Sequence, residues 1–347
     1  IEAVGARGSV QVREGARDPA ARPTGHDRVR NMARAAMESW HGRKSSPVYQ
    51  LMPNLREPDW KSQRIGGVVE FWEKHDAWQR RIDLACRAGR IGDLLVMADE
   101  GPVAAFRAEA WCIAGEALRK AGRFDFALEQ LERTLEVEPS NLKALEEKGI
   151  CLQRLAAAGA PGHSIDRTHA HYRAVLAAHP RNAEIWALLG RVDKDAWIAS
   201  WRRPGIAPEE ARADAAYEAG LLRAAIDSYQ QGFRSDPAHY YSGINALTLM
   251  HLHRHLAGSG RYERELTSMP GAVRFAAESE SEVQALFWAQ ATLADLEILV
   301  GTPQTVTAAY QEAVAENVRE GFALNSCLDQ LRLLAALEDL AHLPAAA

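Results

Sequence analysis

The spacing of large and small residues from Trp111 to Pro139 constrains this chain more than any other feature of it. Trp111, Ala114, Gly115 and Leu118 fall on one helical stripe, Gly122 interrupts it, Ala127 and Leu131 lie on a second stripe, and Pro139 closes it. A glycine one turn after a tryptophan, answered by an alanine on the following helix, lets two antiparallel helices cross at short range. Gly115 and Ala127 are the residues placed at that crossing, and leucine at position 115 is expected to overpack it at a cost of about 1 to 3 kcal/mol.

The same spacing recurs, and it is the 34-residue tetratricopeptide register. Leu145, Gly149 and Leu152 fill it in a second unit that ends at Pro180, with extra residues around Gly159-Ala160-Pro161-Gly162. Trp186, Leu189 and Gly190 open a third unit, whose second helix holds Ala225 and Tyr229 before Pro237. An insertion from Trp197 to Ala219, carrying Trp201 and Pro204, interrupts that unit, and such insertions tend to project from one face and to bind. Tyr241, Ile244 and Asn245 open a fourth unit. Asparagine replaces the small residue there, so its side chain is expected to bond across the helix pair. The register fades after Gly258-Ser259-Gly260, where Arg261–Leu266 still reads as helix. It returns at Phe287, Trp288, Ala291, Thr292 and Leu296, continues through Ala308, Ala309 and Ala313, and ends in a helix carrying Leu324, Leu328, Leu331, Leu334 and Leu337.

Upstream, Phe71, Trp72, Trp78, Ile82 and Leu84 build one helix. Gly89 and Gly92 bracket a turn, and Leu94, Leu95 and Met97 start a shorter helix that stops at Glu100-Gly101-Pro102. Residues 1–25 read as loop or disorder. Residues 26–62 read as the remnant of an α/β effector domain, with a helix from His26 to Trp40 and a short strand from Pro47 to Met52. The expected fold class is therefore all-α: an α-solenoid of tetratricopeptide-like hairpins over residues 66–340, with a small N-terminal α/β remnant or disordered arm.

Composition excludes some classes. With 47% hydrophobic and 25% charged residues the chain has the balance of an ordinary folded protein, not of a disordered one. Net charge is −5, but the first 65 residues carry 12 Lys and Arg against 7 Asp and Glu, leaving −10 for the rest. The basic end is poor in aromatics, so no nucleic-acid partner is expected. Cys86, Cys112, Cys151 and Cys327 are far apart within apolar helical patterns, which suits reduced core thiols in a cytoplasmic protein. No apolar run approaches the ~20 residues of a membrane span, and there is no charged-then-apolar leader. The chain opens on Ile1, so a piece of something longer is expected.

Four segments, GRVDKD (190–195), YYSGINALTL (240–249), FWAQATLADLE (287–297) and FALNSCLDQLRLL (322–334), resemble in order and spacing the TRAFs-binding domain. This is the tetratricopeptide-like central regulatory region of the apoptosis signal-regulating kinases, found also in bacterial proteins behind various effector domains. The resemblance covers about residues 66–340. It implies a scaffold that contacts adaptor proteins and positions neighbouring domains. Where the family shows an aromatic residue after the glycine-arginine pair, this chain has Val192-Asp193. Residues 1–60 are similar to the tail of the TIR-like or deoxyribosyltransferase-like domain that often precedes such arrays. The kinase motifs themselves are absent, with no glycine-rich phosphate loop and no HRD or DFG sequence.

Chemistry leaves few candidates. His251 and His255 share a helix face and are weak candidates for a metal, against a polar face near a helix C-terminus, where imidazolium is favoured. His169 and His171 lie on different faces. Asp193, Lys194 and Asp195 form a charge cluster beside a pocket or a solvated helix side. Trp111, Trp186 and Trp288 take core positions. No serine sits in a nucleophile turn, and the groove positions that would hold an acidic C-terminal peptide are Cys112 and Glu116 in the first clear repeat. Lys194, Asp195, Trp201, Tyr240, Tyr241 and Asn245 are accordingly the expected partner-binding residues, with no catalytic residue, no resident metal and no cofactor. The expected function is a non-catalytic interaction and regulatory module that couples an effector to other proteins through its concave face and the insertion, with homo-oligomerisation open. The alternative is the regulatory part of a TIR-like nucleotide- or NAD-processing effector whose catalytic domain lies mostly upstream.

Overall fold

The computed structural model describes residues 62–100, 106–282, 285–316 and 321–337. Among these residues there are fourteen α-helices, one 3-10 turn and no strand, a tetratricopeptide-like solenoid. The segments expected as loop (1–25) and as an α/β remnant (26–62) lie outside the described residues, all but Ser62. The chain divides into two compact units, residues 1–147 and 148–347.

The first unit holds α1 (Ser62–Arg87), α2 (Ile91–Val96) with the 3-10 turn Met97–Asp99, α3 (Arg107–Lys120), α4 (Phe124–Val137) and the start of α5 (Leu142–Ala157). Trp78 anchors α1: its indole is 3% exposed and donates to the Met97 carbonyl at 2.9 Å. Gly89, at φ 65°, makes the turn alone, while Gly92 belongs to α2. Between α3 and α4 the register behaves as the sequence predicts. A Cβ on Gly115 would lie 2.8 Å from Leu131 Cγ and 3.3 Å from the Ala127 carbonyl oxygen, so no larger residue fits the crossing without movement.

The second unit takes the rest of α5 and nine further helices: α6 (Ile165–Ala178), α7 (Ala183–Trp201), α8 (Pro208–Tyr217), α9 (Ala219–Ser235), α10 (Tyr240–Ala257), α11 (Glu263–Glu278), α12 (Leu286–Val300), α13 (Pro303–Glu316) and α14 (Gly321–Ala336). Ser164 and Asn182 cap α6 and α7, each accepting a bond from a backbone amide three residues on. One apolar cluster runs from α7 to α14 and includes Trp197, Trp201, Ile226, Leu247, Leu252 and Leu334. Fully burying a side chain of this size contributes about 1.5 to 3 kcal/mol.

Three expectations change here. The insertion does not project as an open arm. It folds into α8, whose Ala211 and Ala215 are buried with Trp197 and Trp201, and Trp197 Nε1 donates to the Ala215 carbonyl at 3.1 Å. Its large hydrophobic residue at the surface is Tyr217, 87% exposed. The stretch with no visible register is a sixteen-residue helix, α11. Pro270 lies inside it and hides the pattern, but Met269, Val273 and Ala277 still keep one face buried. Asn245 does not bond across its own hairpin. Close approach in α10 falls at Gly243, where a Cβ would lie 2.5 Å from Val273 Cγ2, and this leaves position 245 free to carry a polar group.

Candidate binding site

Side chains four apart on a helix share a face, and the repeats use this in a regular way. Four residues after the small residue of each first helix stand Arg119 in α3, Gln153 in α5 and Lys194 in α7, and each reaches the first helix of the next repeat. In the first unit the Arg119 guanidinium grips the Glu147 carboxylate with both Nε and Nη2. In the second unit, Gln153 Nε2 donates to Asp195 Oδ2 at 2.6 Å, while Gln153 Oε1 accepts from Arg191 Nη2 at 2.6 Å. Lys194 Nζ then donates to Asn245 Oδ1 at 3.2 Å and to Gln330 Oε1, on α14, at 2.9 Å.

These rungs of the second unit meet in one polar recess. Asn245 Nδ2 donates to the Tyr241 carbonyl at 2.9 Å, and the Tyr241 ring meets the Tyr229 ring edge-on at 6.1 Å. Asp295 of α12 accepts a short hydrogen bond from the Tyr310 hydroxyl of α13. Burial pushes the Asp295 carboxyl up to about 6, although Tyr310 and Lys194 pull against it. Burial likewise lowers the Lys194 ammonium, with Asp195 and Asp295 acting the other way. Asp195 is exposed, yet desolvation by the protein around it raises its carboxyl despite Arg191 and Lys194. Asp195 thus lies at the exposed edge of this polar cluster. Fixed donors and acceptors in such a place suit reversible binding of a polar or charged partner.

The structure separates the other sequence-predicted residues. Trp201 is 1% exposed and belongs to the core under α8. Tyr240 points away from the recess, toward the α11–α12 connection, donating to Glu280 Oε2 at 3.3 Å; burial and the Glu280 charge push its hydroxyl up to about 12. His251 Nδ1 lies 3.0 Å from Arg254 Nη2, and His255 Nε2 3.0 Å from the Leu337 carbonyl oxygen. Among the described residues no group of three metal-binding side chains comes together. Asp193 turns away from Lys194 and Asp195; it is buried, accepting from Ser228 Oγ at 3.0 Å and pairing with His169 at 2.9 Å. Arg191, Gln153, Asp295 and Gln330 also belong to the recess, beyond the residues expected there. Three of them lie inside the four family-like segments. The signal that could have found Gln153 is its register position, four after Gly149.

A family model described as Tetratricopeptide Repeats-Sensor matches residues 123–250, from the start of α4 into α10. The region is thus tetratricopeptide-like on sequence and structure alike. Among solved structures, a thermophilic TPR protein of Thermus thermophilus is similar at 17% identity and a TM-score of 0.44, over 65% of this chain and 98% of that one. The human IFIT1 dimer with m7Gppp-AAAA is similar at 16% identity and a TM-score of 0.31, over 82% of this chain and 64% of that one. Likenesses of that size add nothing to the fold described above. No curated protein matches the chain. Among the described residues no helix is long and apolar enough to cross a membrane.

Proposed function

We propose that this chain is a non-catalytic protein–protein interaction module, a regulatory scaffold of the TRAFs-binding type that couples an effector domain to a partner through the recess of its second unit. The observation that carries this reading is convergence. Arg191, Lys194 and Asp195 come from the first of the four segments, Tyr241 and Asn245 from the second, Asp295 from the third and Gln330 from the fourth, and all seven line or adjoin one recess. Segments far apart in sequence that share only a packing role would have no need to bring their polar residues together. The cysteines support a binding role over a reactive one: burial pushes the Cys112 thiol up to about 12 and the Cys327 thiol up to about 11, leaving both as poor nucleophiles.

Site-specific photo-crosslinking in the native cell tests the proposal. A crosslinking residue at Tyr241 or Asp195 is expected to capture the same protein, and one at the exposed Glu136 of α4 is expected not to. Capture of every partner away from the recess would overturn the reading.

A further inference from the structure

The recess is not empty of helix. Gln330 of α14 completes the coordination of Lys194, and the Leu337 carbonyl meets His255 at the end of α10, so α14 runs beside α10 in the same direction. Leu333, Leu334 and Leu337 join the apolar cluster that contains Leu247, Leu249 and Leu252. The hold is light by comparison with its neighbour. Eleven residues of α10 are buried, whereas among the described side chains of α14 only Leu333 and Leu334 are, and Leu328 is 45% exposed. A helix with few buried contacts opens at lower free energy than the core it rests on. Its one deep polar contact is also incompletely matched, because among the described residues Lys194 donates to two neutral amide oxygens while Asp195 and Asp295 attract it only through space. A carboxylate in the place of the Gln330 amide makes the stronger, charge-assisted bond. Asp295 of α12 attracts Lys194 through space but spends its hydrogen-bonding oxygen on the Tyr310 hydroxyl of α13, which leaves the ammonium's direct partners the two amides.

We infer that the face of α7 and α10 beneath α14 is a helix-binding groove filled in cis by α14, and that the partner displacing it is an amphipathic helix bearing a carboxylate where α14 carries Gln330. The inference rests on the interaction reading above and names the chemistry of the partner.

The test uses the full 347-residue chain. In hydrogen exchange, α14 amides are expected to exchange at least about tenfold faster than those of α10, and Gln330→Glu is expected to slow α14 on the order of tenfold while leaving α10 unchanged. A labelled peptide of residues 321–337 carrying Gln330→Glu is expected to bind the Leu334→Ala chain on the order of tenfold more tightly than wild type, and the same peptide with Gln330 kept is expected to bind it about tenfold more weakly. Exchange of α14 and α10 as a single unit, faster α14 exchange in Gln330→Glu, or equal affinity of the two peptides would overturn the inference. Should Leu334→Ala fail to fold, exchange in wild type and Gln330→Glu decides alone. No partner is present in the exchange measurement, so its failure leaves the crosslinking result standing.

Discussion

Two rungs of the repeat ladder, Arg119–Glu147 in the first unit and Lys194–Asn245–Gln330 in the second, occupy the same register position and are built from opposite chemistry. Glu147 is 2% exposed and fully matched in charge, held by Arg119 and by Lys143 at 2.8 Å. Lys194 donates to two neutral amide oxygens, with Asp195 and Asp295 attracting it only through space. One position in a repeat can thus carry a charge-matched lock between neighbouring helices or a cation bonded to amides, according to what the next helix offers. On the reading proposed above, the first unit uses it for stability and the second keeps it exchangeable.

Deleting the cation of each rung puts this difference to its severest test. Arg119→Leu leaves a buried carboxylate short of its main partner and is expected to cost about 3 kcal/mol. Lys194→Leu leaves two amides short of a donor and is expected to cost about 1 to 2 kcal/mol. Chemical denaturation followed by a reporter in each unit reads them separately, as a chain of two units requires. Equal losses would mean that the two rungs do the same work.

The glycines ahead of the rungs extend the contrast. Alanine at 115 meets Leu131 Cγ at 2.8 Å and the Ala127 carbonyl oxygen at 3.3 Å, whereas alanine at 149 meets the Tyr172 ring at 2.2 Å. Helix propensity favours either change by about 0.5 to 1 kcal/mol. Gly115→Ala is therefore expected to lose about 1 kcal/mol and Gly149→Ala about 2 kcal/mol in denaturant titration, because the Tyr172 ring must move further than Leu131. In the second and third repeats the glycine seats a tyrosine where the first has leucine, and in this way aromatic hydroxyls enter the second unit.

Such close approaches were the legible part of the fold. A helix crossing demands a small residue at a fixed spacing, so Gly115, Gly149 and Gly190 announce their hairpins. Pro270 hid α11 because proline is read as a helix breaker, and α8 was invisible because its apolar stripe is only two alanines under two tryptophans. In the recess, Lys194, Asp195, Tyr241 and Asn245 could be picked from the family-like segments, but what they touch could not. The Lys194–Gln330 contact joins residues 136 apart, and no periodicity encodes a pairing at that range.

Protonation separates the two regions again. Asp295 has its carboxyl raised to about 6 from an ordinary value of 3.8, so between those values the native state holds a proton that the unfolded chain releases. Stability in the second unit therefore falls as pH rises from about 4 to 6, and the loss persists above that window. Asp295→Asn removes the penalty and is expected to stabilise the chain at pH 7 by about 1 to 2 kcal/mol, less than the full shift implies because part of the side chain reaches water. Below pH 4 the variant and wild type should converge. Denaturation at several pH values checks this, and an Asp295→Asn chain less stable than wild type at pH 7 would show that the Lys194–Asp295 attraction outweighs the burial cost.

Asn245→Leu carries the smallest expected effect and asks the finest question about the second rung. The leucine removes one of two acceptors from Lys194 and the donor to the Tyr241 carbonyl, but α10 keeps its close contact with α11 because that contact is made by Gly243. The expected loss is about 1 kcal/mol, or about 2 to 4 °C in melting temperature for a unit of this size. Lys194 would then rest on Gln330 alone, so α14 should exchange more slowly relative to α10 as the amide of Gln330 becomes its only acceptor. A lowered melting temperature together with unchanged α14 exchange would assign Asn245 to packing between α7 and α10. A lowered melting temperature with slower α14 exchange would show that Asn245 and Gln330 compete for one cation, which is what an exchangeable rung requires.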